Sequence, residues 1–212
     1  MNARRLILML VGLSTLGGCG AAAGTGAGRP EVMFADNCGV CHGGTGGGNP
    51  DIAAPAIAGL PEWYVKAQLG KFRDGIRGAH ADDAEGLRMR PMARTLPATD
   101  VDPIAAYVAS LPPQGPDRSL HGDPEKGKAL YATCTACHGP DGKGMEVLNA
   151  PPIVQLDDWY VASTLKKFKS GVRGANPKDT TGMQMAPMAK TLKTDEDVLN
   201  VIAYIATLSG GH

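Results

Sequence analysis

Cys38-Gly-Val-Cys41-His42 and Cys134-Thr-Ala-Cys137-His138 are the two stretches on which the reading of this 212-residue chain turns. They hold four of its five cysteines, and each pair is followed at once by a histidine. Covalent attachment of a porphyrin takes two thiols that reach its two vinyl groups and an imidazole beside them that reaches the central iron. C-x-x-C-H supplies all three within about one helical turn. A zinc ribbon would want its two C-x-x-C pairs roughly 15 to 20 residues apart, whereas these lie 96 apart. A thioredoxin-like dithiol belongs to an α/β pattern that is missing here. Structural disulfides suit an exported protein but do not call for the adjacent histidine twice. The motifs predict two covalently bound haem c groups, attached through Cys38, Cys41, Cys134 and Cys137, with His42 and His138 as axial ligands of the irons.

The same shift of 96 residues superimposes Pro55 on Pro151, Trp63-Tyr64 on Trp159-Tyr160, Phe72 on Phe168, Arg77 on Arg173, and Met89-Arg-Pro-Met92 on Met185-Ala-Pro-Met188. Past Leu96 and Leu192 it becomes 97, pairing Tyr107 with Tyr204. Two long copies describe duplicated domains and exclude a solenoid, which needs at least three short units. Between them the Pro- and Gly-rich segment 112–124 cannot continue a helix and reads as a semi-rigid linker. It divides domain one (30–111) from domain two (125–212). Units this small have thin cores, and a large buried ligand fills that need.

No period-two alternation is convincing, so the fold is expected to be all-α. Pro61 to Phe72 places Trp63 or Tyr64, Gln68 or Leu69, and Phe72 on one helical face, with proline at an early position. Its copy has Asp157 or Asp158 as cap. Closing helices are expected at Val101 to Leu111 and Asp195 to Leu208. Each copy also offers Met-x-Pro-Met about fifty residues after its histidine, read here as a loop, with Met183 as an extra. A thioether sulfur opposite an imidazole raises the reduction potential of haem iron; methionines that do not ligate fill core gaps.

Ahead of the repeat, Met1 to Arg5 is cationic, Leu6 to Leu16 is apolar, and Leu16-Gly-Gly-Cys19 closes the run with small residues. This is the layout of an export signal, expected at residues 1–18. The apolar run is shorter than the roughly 20 residues that span a membrane. Leu-Gly-Gly-Cys resembles the lipobox of bacterial lipoproteins, which implies acylation of Cys19 and a stable membrane anchor. Residues 19–29, rich in Gly and Ala, read as a flexible tether. Arg4 and Arg5 are two of the 21 basic residues that balance 21 acidic ones, so the mature part is slightly acidic. It lacks the clustered basic surface that nucleic acid demands.

With these motifs the chain resembles the class I cytochromes c, and in its duplicated form the two-haem cytochrome c4 type, over residues 31 to 211. The resemblance implies that the carbonyls of Pro55 and Pro151 accept the other ring proton of His42 and His138. It also implies that Met89 and Met185, seven positions before Leu96 and Leu192, complete the axial pairs in preference to Met92 and Met188. One departure stands out: domain two keeps Gly127-x-x-x-Tyr131, of the kind that packs on the closing helix, where domain one has Glu31 and Ala35, so domain one is expected to pack less tightly. Arg77 and Arg173, each in Gly-x-Arg-Gly, are expected to meet haem propionates.

Iron held on both sides has no open position for a substrate. The expected function is therefore that of a periplasmic, membrane-anchored electron carrier between respiratory chain components: a quinol-oxidising complex or dehydrogenase on one side, a terminal oxidase or reductase on the other. Redox proteins are its expected partners, with no small-molecule substrate. The alternatives are a fixed cytochrome subunit of a larger oxidase or dehydrogenase, or a di-haem peroxidase.

Overall fold

The computed structural model describes residues 29–208, so the expectations for the export segment, Cys19 and all of the tether but Arg29 lie outside the described residues. Among the described residues the structure is helical and without strands. Domain one contains α1 (Pro30–Met33), a π-helical turn (Phe34–Cys38), α2 (Gly39–His42), α3 (Glu62–Arg73), α4 (Ala84–Thr95) and α5 (Val101–Ser110). Domain two contains α6 (Pro124–His138), α7 (Asp158–Ser170), α8 (Thr180–Ala189) and α9 (Asp195–Leu208). In each, the first and last helices pack together, and the loop after the histidine is pinched by one bridge, Asn49 with Ala54 or Met145 with Ala150.

The two domains build their first helix differently. In α6, Gly127 lets the backbone of Asn200 approach, and the Tyr131 ring meets Tyr204 at 5.3 Å. In domain one, Glu31 and Ala35 offer neither feature. Instead the π turn, closed by a bond from the Gly39 N–H to the Phe34 carbonyl, accommodates one extra residue per turn. Phe34 rather than Ala35 then faces inward, fully buried and 5.4 Å from the Tyr107 ring. The aromatic contact with the closing helix is kept by another route.

Two sequence expectations are corrected. Met-x-Pro-Met is helical: Met89 and Met92 lie in α4, Met185 and Met188 in α8. Asp83 and Asp179 nucleate these helices by accepting from the Gly86 and Gly182 N–H groups. Pro91 and Pro187 are carried inside, each forgoing the bond its N–H would make one turn back. Gly86 and Gly182 leave room for this cap: a Cβ there would come within 2.0 and 2.1 Å of the capping carboxylates and displace them. The second concerns Asp157 and Asp158: Asp157 stands at the N-cap of α7 but makes no side-chain cap bond, and Asp158 Oδ1 accepts from the first-turn Trp159 N–H at 2.6 Å. Asp157, buried, accepts from the Ala56 N–H of domain one and the Asp117 N–H of the linker, and Asp158 accepts from Ser119 and the Leu120 N–H. The carboxylates fasten the linker to α7. Arg118 adds bonds to the Val154 and Leu156 carbonyls.

The closing helices fall at Val101–Ser110 and Asp195–Leu208, burying Ile104 and Val108 in one and Val198, Val201, Ile202 and Ile205 in the other. Thr194 and Asp197 cap α9 reciprocally, each accepting the other's backbone N–H. Burial does not stop at the domain boundary: Leu60, Tyr64 and Val65 of domain one pack into the core of domain two. Their place there is what positions the functional site.

Candidate haem sites

Each cavity begins at the end of the C-x-x-C-H turn. His42 Nδ1 lies 2.8 Å from the Pro55 carbonyl and His138 Nδ1 lies 2.9 Å from the Pro151 carbonyl. A carbonyl only accepts, so Nδ1 carries the proton and Nε2 keeps a lone pair for a metal. Burial lowers both histidine pKa values, and the carbonyls only partly offset it, which keeps the rings neutral. Of the neighbouring thiols, Cys38 and Cys134 are unlike the attacking thiol of a redox dithiol, whose pKa would be depressed. Burial pushes Cys38 up to about 11, and burial together with Cys137 does the same for Cys134. None of the four is in a disulfide, and no group of three or more metal-binding side chains occurs among the described residues.

Domain one encloses about 430 Å³ and domain two about 170 Å³, and both cavities are mostly apolar. The first is lined by Cys38, Cys41, His42, Met89 and Met92, the second by Cys134, Cys137, His138, Met185 and Met188. Met89 and Met185 are half-buried against the cores, whereas Met92 and Met188 are 42% and 39% exposed. Met183 is exposed and lines neither cavity, and His80 caps its own loop by accepting from the Asp82 N–H.

The two cavities meet at the domain interface, where Tyr64, Gln68, Leu156, Tyr160, Thr164 and Arg173 line both. Arg77 and Arg173 are buried there, stacked on Phe72 and Phe168 at 4.3 and 4.5 Å. Arg77 bonds Gln68, and Arg173 bonds Thr164. Each also faces a tyrosine of the other domain, Arg77 with Tyr160 and Arg173 with Tyr64. Burial raises the Tyr160 hydroxyl, but the two guanidiniums more than offset it and bring it down to about 8.

A porphyrin with two carboxylates fits this set. Long apolar walls run from the thiols to the interface, and the buried Nε groups of Arg77 and Arg173 have no hydrogen-bond partner, an expensive arrangement unless an anion meets them. The indole N–H of Trp159, buried without a partner, points to a further contact, since Trp159 of domain two lines the cavity of domain one. Sequence reasoning identified Trp63-Tyr64 and Trp159-Tyr160 as repeat markers and put Trp63 or Tyr64 on a helical face, but gave none of them a place at the site. Neither recurrence nor helical periodicity shows that the copies face each other.

A sequence profile of the cytochrome c family matches twice, over residues 30–112 and 124–209. A "Thiosulfate dehydrogenase electron acceptor" from Thiomonas intermedia (strain K12) is 34% identical over 184 residues, covering 79% of this chain and 78% of its own. "Cytochrome c4" from Pseudomonas aeruginosa is 31% identical over 215 residues, covering 96% and 98%. The crystal structure of reduced recombinant cytochrome c4 from Pseudomonas stutzeri superimposes with a TM-score of 0.65 at 27% identity, covering 84% of this chain and 97% of that one. With two copies of the attachment motif, two apolar cavities and two profile matches, the chain belongs to the cytochrome c family as a di-haem, cytochrome c4-like electron carrier with two covalently bound haem c groups.

Proposed function

We propose that this cytochrome is an exported single-electron shuttle, held at the periplasmic face of a membrane through acylated Cys19, and that it performs no catalysis of its own. In this reading Cys38, Cys41, Cys134 and Cys137 form the thioethers. His42 with Met89, and His138 with Met185, are the axial pairs. Pro55 and Pro151 orient the histidines, and Arg77 and Arg173 bind propionates. Haem so held supplies one-electron redox chemistry, with no free coordination position for a substrate.

The observation that carries the reading is that each cavity presents one neutral imidazole and one half-buried thioether from the same domain, while the two cavities share walls. The protein keeps water from the haems with these walls and holds the interface arginines in place through Gln68 and Thr164. An electron arriving at one domain then has a short, packed route to the other.

A pyridine haemochrome count of two per chain, with methionine-to-iron charge-transfer bands and no carbon monoxide binding to the reduced protein, is the expected result. Loss of a band in Met89→His or Met185→His, but not in Met92→Leu or Met188→Leu, assigns the ligands. Unmoved haem potentials in Arg77→Gln would remove Arg77 from its role.

The name of the Thiomonas relative makes a thiosulfate-oxidising dehydrogenase the donor proposed first. Oxidised protein mixed with such an enzyme and thiosulfate should be reduced within the enzyme's turnover time. Reduction only by a quinol-oxidising complex would replace that donor. Release from membranes by detergent, and without it for Cys19→Ser, is the corresponding test of the anchor.

A further inference from the structure

Lys71 and Lys167, equivalent in the repeat, reach across the interface in opposite directions. The Nζ of Lys71, on α3 of domain one, lies 2.6 Å from Asp179 Oδ1 and 2.5 Å from Thr181 Oγ1 of domain two. The Nζ of Lys167, on α7 of domain two, lies 2.6 Å from Asp83 Oδ1 and also bonds Glu85, both in domain one. The carboxylate oxygens they meet are already in use. Asp179 Oδ1 accepts from the Gly182 N–H at 3.0 Å and Asp83 Oδ1 from the Gly86 N–H at 3.3 Å. Each lysine therefore holds the cap of the helix that carries the other domain's methionine, Met185 in α8 or Met89 in α4, less than two turns further on.

We propose that Lys71 and Lys167 are positioning residues acting in trans, each fastening the first turn of the opposite domain's methionine helix so that every axial sulfur is held by both domains. The inference rests on the assignment of Met89 and Met185 as ligands. Its physical basis is burial. The two aspartates are 2% exposed and the lysine side chains 17%, so the carboxylate has little water to turn to. With the lysine removed, the buried carboxylate loses its ion-pair partner and most direct charge compensation, which favours turning it toward solvent. That movement abandons the N–H it caps and loosens the turn leading to the methionine. Lys167 answers two carboxylates, Lys71 one carboxylate and a hydroxyl. Domain one is therefore the more dependent on its brace.

The test uses the full chain with both haems attached. One-dimensional proton NMR of the reduced protein resolves the ring-shifted methyl of each iron-bound methionine, and Met89→His and Met185→His assign the two signals first. If neither signal disappears in its variant, the ligand assignment is wrong and the inference falls with it, before any lysine is changed. With the assignment in hand, Lys167→Gln is expected to broaden the Met89 methyl. It should also raise carbon monoxide occupancy at domain one about tenfold, as expected for loss of one charge-assisted hydrogen bond. The Met185 signal should be untouched. Lys71→Gln should do the reverse, with a smaller effect, and Lys167→Arg and Lys71→Arg should restore both signals. Lys→Met at either position keeps the packing of the stem, and must reproduce the pattern if a Gln variant fails to retain two haems. Silent variants, an effect on the lysine's own domain, or equal effects on both haems would overturn the proposal.

Discussion

Gly127 has no room for a side chain: a Cβ there would sit 1.9 Å from the Asn200 carbonyl oxygen and 2.9 Å from the Tyr204 Cβ. Gly127→Ala must therefore push α6 off α9, a backbone displacement that costs about 1–3 kcal/mol and lowers the melting temperature of the haem-loaded protein. Glu31→Ala, at the equivalent position in domain one, should change it little, because Phe34 makes the inward contact there. A thermal melt of both variants checks the pair. At this scale much was legible beforehand. C-x-x-C-H has its spacing set by covalent chemistry, so it survives as a pattern. The Phe34 contact was not legible, because a π turn shifts the inward face by one residue and leaves no compositional mark. Trp159, Tyr64 and Tyr160 were hidden for another reason: their role depends on which side of each copy faces the other.

Among the elements, α4 and α8 contradict the rule that proline ends a helix, and the reason they form is the buried aspartate ahead of each. That aspartate carries a pH dependence. Burial pushes the Asp83 carboxyl up, but the bond from Lys167, its charge and that of Arg77 outweigh it, so the native pKa lies below the ordinary carboxylate value. A depressed native pKa means stability that is fully present above the unfolded value of about 3.9 and lost as the pH falls through the native one. Melting temperatures measured from pH 7 to pH 2 should be flat with respect to this group down to about pH 5 and decline below it, and Lys167→Gln should make that decline shallower. The N-terminus of α7 gives a second case. Asp157→Ala leaves the Ala56 and Asp117 N–H groups without their acceptor, at about 1–3 kcal/mol for each group that stays buried. Faster cleavage within residues 112–123 by a nonspecific protease is the expected readout. Pro61 stands at the equivalent position in domain one, so the carboxylate anchor of the strap has no copy there, where Pro113 packs against Gly59 instead. The repeat pattern pointed to two similar helices and had no means of showing that one of them carries the linker.

The whole molecule is less divisible than its sequence. Two domains joined by a proline-rich segment ordinarily unfold in separate steps, but here each cavity takes part of its wall from the other domain, and Leu60 belongs to a core not its own. Calorimetry of the haem-loaded chain should show a single transition; two resolved peaks would mean that the shared walls contribute little. Lys71 to Asp179 and Lys167 to Asp83 also have the form of an isologous contact, in which i meets j and j meets i. A lone ancestral unit bearing both the lysine and the aspartate on one face would pair with itself about a two-fold axis. The present chain has the contact pattern of a homodimer whose halves are joined covalently. Its joining segment raises the effective concentration of one half near the other, so the halves meet without the concentration dependence of a true dimer and need not be identical to stay paired.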